Sequence, residues 1–173
     1  DPRRFGLVVP IHLPADGTDP PDLASLGPEP LDSAWSGPTL HCELRKTRRA
    51  VKLALLDQSV VAGLGNIYVC EALFEAGISP KRAAYRIGRA RCNRLVEAVR
   101  NVLNDALEHG GTSLRDFAAL DGSEGRFAVR LRVYDHENAP CPRCGERAHI
   151  RRISRDFDVV TPPTIRVLIW GAD

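Results

Sequence analysis

The 173-residue sequence predicts a mainly α-helical protein, with short strands confined to its start and to the region from 127 onward. Three observations carry that expectation. Apolar residues at helical spacing flank a glycine turn, Ala62-Gly63-Leu64-Gly65-Asn66. The longest periodic run, 88–109, repeats apolar residues at three and four. Strand formers gather near 5–9 and from 127 onward.

Residues 1–12 read as a turn entering a strand: Phe5, Leu7, Val8 and Val9 favour it and Pro10 halts it. Residues 13–38 are rich in Pro, Gly and Asp, and the prolines forbid a long helix, so an ordered linker is expected. Residues 39–49 follow as a short basic helix. In 50–58, Val51, Leu53, Leu55 and Leu56 are expected to face inward and Lys52 to face solvent or phosphate.

The stretch Leu55 to Pro80 organises the rest, as helix, tight turn, helix. Leu55, Leu56, Val60 and Val61 continue a helical apolar pattern up to the glycines. The second helix starts at the turn, presents Ile67, Cys70, Ala72, Leu73 and Phe74, and ends at Gly77 as a C-cap. Two glycines and an asparagine permit φ > 0 and close approach of another surface. The first amides of the new helix point outward at its positive dipole end, a geometry that suits a phosphate. A packed helical hairpin with Asn66 as an N-cap accounts for the same residues.

The long helix over 88–109 buries Leu95, Val99, Val102, Leu103 and Ala106 and ends at His109-Gly110-Gly111. Phe127 to Tyr134 alternates as a strand, with Val129, Leu131 and Val133 on one face. Cys141-Pro142-Arg143-Cys144-Gly145 places two thiolates at the spacing of half a zinc ribbon.

Apolar content of 43% and charged content of 27% fit a folded globular chain. No apolar run reaches membrane-spanning length and no signal-peptide core opens the sequence, so no membrane association is expected. Five cysteines, an odd number, point to a reducing cytoplasm rather than a disulfide framework. Without an initiator Met, the chain is expected to begin in mid-protein. Net charge is only +2 but unevenly spread: between His41 and Cys92 ten Lys or Arg stand against four acids. Such basic residues around a phosphate-shaped turn favour a nucleic-acid surface over a merely solvated face.

The strings Asp1-Pro2-Arg3-Arg4-Phe5-Gly6, Leu26 to Leu31 (LGPEPL), D-Q-x-x-V-A-G-L-G-N-I-Y, Gly110 to Phe117 (GGTSLRDF) and CPRCG occur in one order. In that order they resemble the bacterial formamidopyrimidine-DNA glycosylases, over about residues 1–152. The resemblance divides the chain into the end of a β-sandwich domain (1–12) and a linker (13–38). A helix–two-turn–helix domain (39–126), an incomplete zinc-finger region (127–152) and an aberrant tail (153–173) follow. It implies base-excision repair of oxidised purines, such as 8-oxoguanine and formamidopyrimidines, by a bifunctional glycosylase and AP lyase. The implied partner is damaged double-stranded DNA, bound by a monomer in the bacterial cytoplasm.

By position the resemblance puts Arg3 and Phe5 in the space left by an extruded base. It puts Lys46 (Thr47 is an equally fair alignment), Lys52, Gly65 and Asn66 on the DNA backbone. The loop that caps the lesion takes in Thr112, Ser113, Gly122 and Gly125. One zinc per chain is implied, with Cys141 and Cys144 as half its ligands. However, residues 150–173 hold neither Cys nor His, so weak zinc binding or none is expected. The departure of 153–173 from the family pattern is expected to reflect a frameshift or gene-model error near Ile153. Chemistry in the family belongs to an amino-terminal proline and a neighbouring glutamate. This chain is expected to contain neither, so it should bind DNA without cutting it. A non-catalytic helix–two-turn–helix module, as in a ribosomal protein, is the alternative, and DPRRFG with the lesion-loop string argues against it. GGTSLRDF likewise argues against specificity for oxidised pyrimidines.

Overall fold

The computed structural model describes residues 21–111 and 130–153. Five α-helices lie in the first span: α1 (Pro21–Ala24), α2 (Gly37–Arg45), α3 (Val51–Leu55), α4 (Asn66–Ala76) and α5 (Arg89–Glu108). A 3-10 turn, Ala84–Arg86, leads into α5. The second span carries one hairpin, β1 (Pro140–Cys141) antiparallel to β2 (Gly145–His149).

The helix ends follow from local chemistry. Ser36 stands at the N-cap of α2, where its amide donates to Thr39 Oγ1 at 2.7 Å. Gly77 closes α4 in the left-handed conformation, its amide donating to Leu73 O and Phe74 O. Gly111 N donates to Ala106 O at 2.7 Å and turns the chain off α5. α5 packs along both α2 and α4 and buries Leu95, Val96, Val99 and Val102 between them. Each such side chain contributes about 1.5–3 kcal/mol through burial. Trp35, Leu40, Leu44, Leu55, Leu64, Leu73, Ile78 and Ile87 complete the core.

Three expectations need correction. The helix that enters the glycine turn does not run to Val61; α3 ends at Leu55. Asp57 is the cause: its Oδ1 accepts from Ser59 N (3.1 Å) and Ser59 Oγ (2.6 Å), while its carbonyl accepts from Val60 N. A short acceptor of this kind competes with the helical ladder and wins here. The expected strand is also absent over residues 130–134, although Leu131 and Val133 are buried. The amides of Arg132, Val133 and Tyr134 donate instead to the Glu71 carboxylate. Finally, Lys52 is buried, 3% exposed, rather than facing solvent. The segment Pro80–Ala84 runs beside residues 49–52, with Val51 N donating to Arg82 O, Lys52 N to Pro80 O and Ala84 N to Arg49 O.

Residues 26–36, read as an ordered linker, pack as part of the helical unit. Trp35 is 1% exposed. Arg100 of α5 donates to Pro30 O (3.3 Å), Asp32 O (2.8 Å) and Trp35 O (2.7 Å). Gly27 N donates to Gln58 O, and Ala62 N to Pro28 O. At Gly27 a Cβ would sit 2.7 Å from Ser59 O, so only glycine lets this segment lie so close.

Candidate nucleic-acid interface

The turn between α3 and α4 is held by one side chain, Gln58. Its Oε1 accepts from Gly63 N at 2.8 Å, and its Nε2 donates to Leu56 O (3.1 Å) and Leu64 O (3.2 Å). Gln58 therefore ties both sides of the turn together. Gly63 takes φ +77, which explains glycine there. Gly65 does not: its φ of −98 is open to any residue, and a Cβ on it would meet nothing within 4 Å. The fold leaves that space clear.

Gly65 is the N-cap of α4 and Asn66 its first helical residue, so Asn66 is not the cap. Val69 N is bonded back to Gly65 O. Ahead of it lies the positive end of the helix dipole. Asn66 is half-buried, and its Oδ1 accepts from Cys70 Sγ at 3.7 Å.

Ala50 bridges Ala83 in antiparallel register, so Arg49 lies opposite Ala84 and Arg82 opposite Val51, which brings basic residues of both segments to one stretch of surface. Of the ten basic residues between 41 and 92, all are exposed except Lys52 and the half-buried Arg91. Among the described residues no carboxylate pairs with Arg48, Lys81 or Arg82. Arg49 Nη2 is 2.6 Å from Asp57 Oδ2, which ties the basic face to the turn. Hydrogen bonds from Ser59 and Arg49 hold the Asp57 carboxyl at about 2, below the ordinary 3.8. Lys46 is exposed at the end of α2 and bound to Glu43 at 2.6 Å; that bond holds its ammonium above the usual lysine value.

Arg3, Phe5, Thr112, Ser113, Gly122 and Gly125 lie outside the described residues, as do the strand expected at 5–9, residues 127–129 and the tail from 154. Cys141 is buried in β1 and Cys144 is exposed in the turn that follows. Among the described residues no third His, Cys, Asp or Glu comes within ligating distance of both thiols; the one group of three potential ligands is Asp105, Glu108 and His109, elsewhere. Two thiolates do not close a tetrahedral site, so these residues do not fit a structural zinc.

Gln58, Gly27 and Asp57 were not singled out from the sequence. The D-Q pair directly before the apolar turn was a visible signal for two of them.

A family model described as the formamidopyrimidine-DNA glycosylase H2TH domain matches residues 26–118. The formamidopyrimidine-DNA glycosylase of Dinoroseobacter shibae is 51% identical over 153 residues, 88% of this chain and 54% of the relative. That of Alkalilimnicola ehrlichii is 49% identical over 159 residues, 90% of this chain and 55% of the relative. The chain spans about half the length of the curated relatives it matches. Among solved structures, the MutM (Fpg) protein of Thermus thermophilus aligns with TM-score 0.68 at 45% identity, covering 72% of this chain and 48% of that one. The Lactococcus lactis enzyme bound non-covalently to DNA containing an AP site aligns with TM-score 0.67 at 32% identity, covering 77% of this chain and 47% of that one.

Proposed function

The chain belongs to the formamidopyrimidine-DNA glycosylase family, and from that premise we propose that it grips the backbone of damaged duplex DNA during base-excision repair of oxidised purines. The observation that carries this reading is the clear space at Gly65, at the positive end of α4 and linked through Asp57 to an exposed basic face. A phosphate oxygen is the ligand that such an end attracts. Asn66 and the amides after Gly65 would hold it, while Arg48, Lys81 and Arg82 draw in neighbouring phosphates. Contacts of this kind position a protein on DNA without reading sequence. Several solved relatives are complexes with DNA, which supports the same partner.

The glycosylase and AP-lyase chemistry of the whole protein belongs, on this reading, to parts of the relatives that this chain does not span. The attacking amine is the family's amino-terminal proline, and residues 1–173 contribute substrate positioning. Damaged double-stranded DNA is the partner of a monomer, in the bacterial cytoplasm.

The test uses the 173-residue chain on a duplex with a single abasic site. Binding by gel shift without a covalent adduct under borohydride is expected. A trapped adduct would show that the chain carries its own nucleophile.

A further inference from the structure

We propose that residues 130–153 are docked on α4 by Glu71 and Arg143, and that this docking replaces zinc as the device holding the hairpin in place. The zinc-ribbon spacing raises the question, since two thiolates cannot close a metal site. The answer lies on α4.

Glu71 is a buried carboxylate, 4% exposed, in the middle of that helix. Its Oε2 accepts from Arg132 N (3.0 Å) and its Oε1 from Val133 N (2.9 Å) and Tyr134 N (2.8 Å). Three consecutive amides of an irregular segment are thereby satisfied by one side chain. Bonds to such an acceptor are the strong ones. An apolar residue at 71 would leave these amides without their partner.

The second anchor is at the far end of the same helix. Arg143, in the middle of the CPRC turn, donates Nη2 to Glu75 O at 3.2 Å, and its guanidinium lies 4.8 Å from the Phe74 ring centroid. A cation at a helix C-terminus meets the negative end of the dipole. Between the anchors, Val133, Cys141, Ala148 and Ile150 are buried and join the core of the helical unit. Cys141 serves there as a small apolar residue. The hairpin thus rides on the helix whose first turn faces the proposed phosphate.

The docking is independent of the DNA reading, because its readout needs no DNA. Amide hydrogen exchange is followed in the full chain with and without a zinc chelator, and in Glu71→Gln and Arg143→Ala. Chelation is expected to leave the amides of 132–134 and of the hairpin unchanged. Glu71→Gln should speed exchange at Arg132, Val133 and Tyr134 by about tenfold or more while α5 keeps its protection, as local opening requires. Arg143→Ala, at an exposed site, should speed exchange in the hairpin; it decides the matter if Glu71→Gln does not fold. Acceleration by the chelator, or one equivalent of zinc in the purified chain, would overturn the proposal. So would unchanged exchange in both variants.

Discussion

Replacing Gln58 with Ala isolates the side chain that spans the turn. The side chain makes three hydrogen bonds, at 2.8, 3.1 and 3.2 Å, across the segment Leu56–Leu64. Each is worth roughly 0.5–1.5 kcal/mol net, and the low end applies because Gln58 is exposed and water replaces part of the loss. The total comes to about 1–2 kcal/mol. If the turn must be closed to receive a phosphate, duplex affinity falls by the same amount, roughly 5–30-fold. Fluorescence anisotropy with a labelled duplex reads the affinity, and urea unfolding reads the stability. If Gln58→Ala binds DNA as the parent does while its stability has dropped, the turn geometry is irrelevant to binding.

Two further changes test the packing around the turn. Gly27→Ala places a methyl 2.7 Å from Ser59 O and 2.8 Å from the Val60 carbonyl carbon, both backbone atoms. It should lower the urea midpoint, at unchanged slope, by about 1–3 kcal/mol of stability. Asp57, whose folded value of about 2 lies below 3.8, contributes stability that is present above the unfolded value and lost as pH falls through about 2. Asp57→Asn should therefore flatten the acid limb of the stability curve between pH 4 and 2 (range set by those two values). A thermal-melt series against pH checks it.

The helices that could be read from sequence were those with unambiguous ends. α4 and α5 carry apolar faces closed by Gly77 and by Gly110-Gly111, and they form as expected. The misread elements share another cause. α3 stops early because Asp57 offers the backbone a local acceptor. The alternation at 130–134 is real, with Leu131 and Val133 buried, but its amides go to Glu71, far earlier in the chain. Lys52 is buried although it falls off the apolar stripe, and its backbone amide bonds to Pro80 O, distant in sequence. Pattern reports which face is apolar; it cannot report a partner distant in sequence. The site was half legible for the same reason. Glycines and Asn66 marked the turn, whereas the side chain that shapes it, Gln58, is polar and exposed and sits outside any periodic pattern.

A phosphate at the first turn of α4 is tested most directly by duplex binding of Asn66→Ala across a salt series. The parent should lose affinity linearly in log salt, at about −0.9 per phosphate contacted. Asn66→Ala should bind about 1–2 kcal/mol more weakly, the scale of a lost hydrogen bond to a charged group. Its salt slope should match the parent's because asparagine carries no charge, and the loss should be equal for unrelated sequences. Binding equal to the parent's, or a loss confined to one sequence, would contradict a phosphate at this turn.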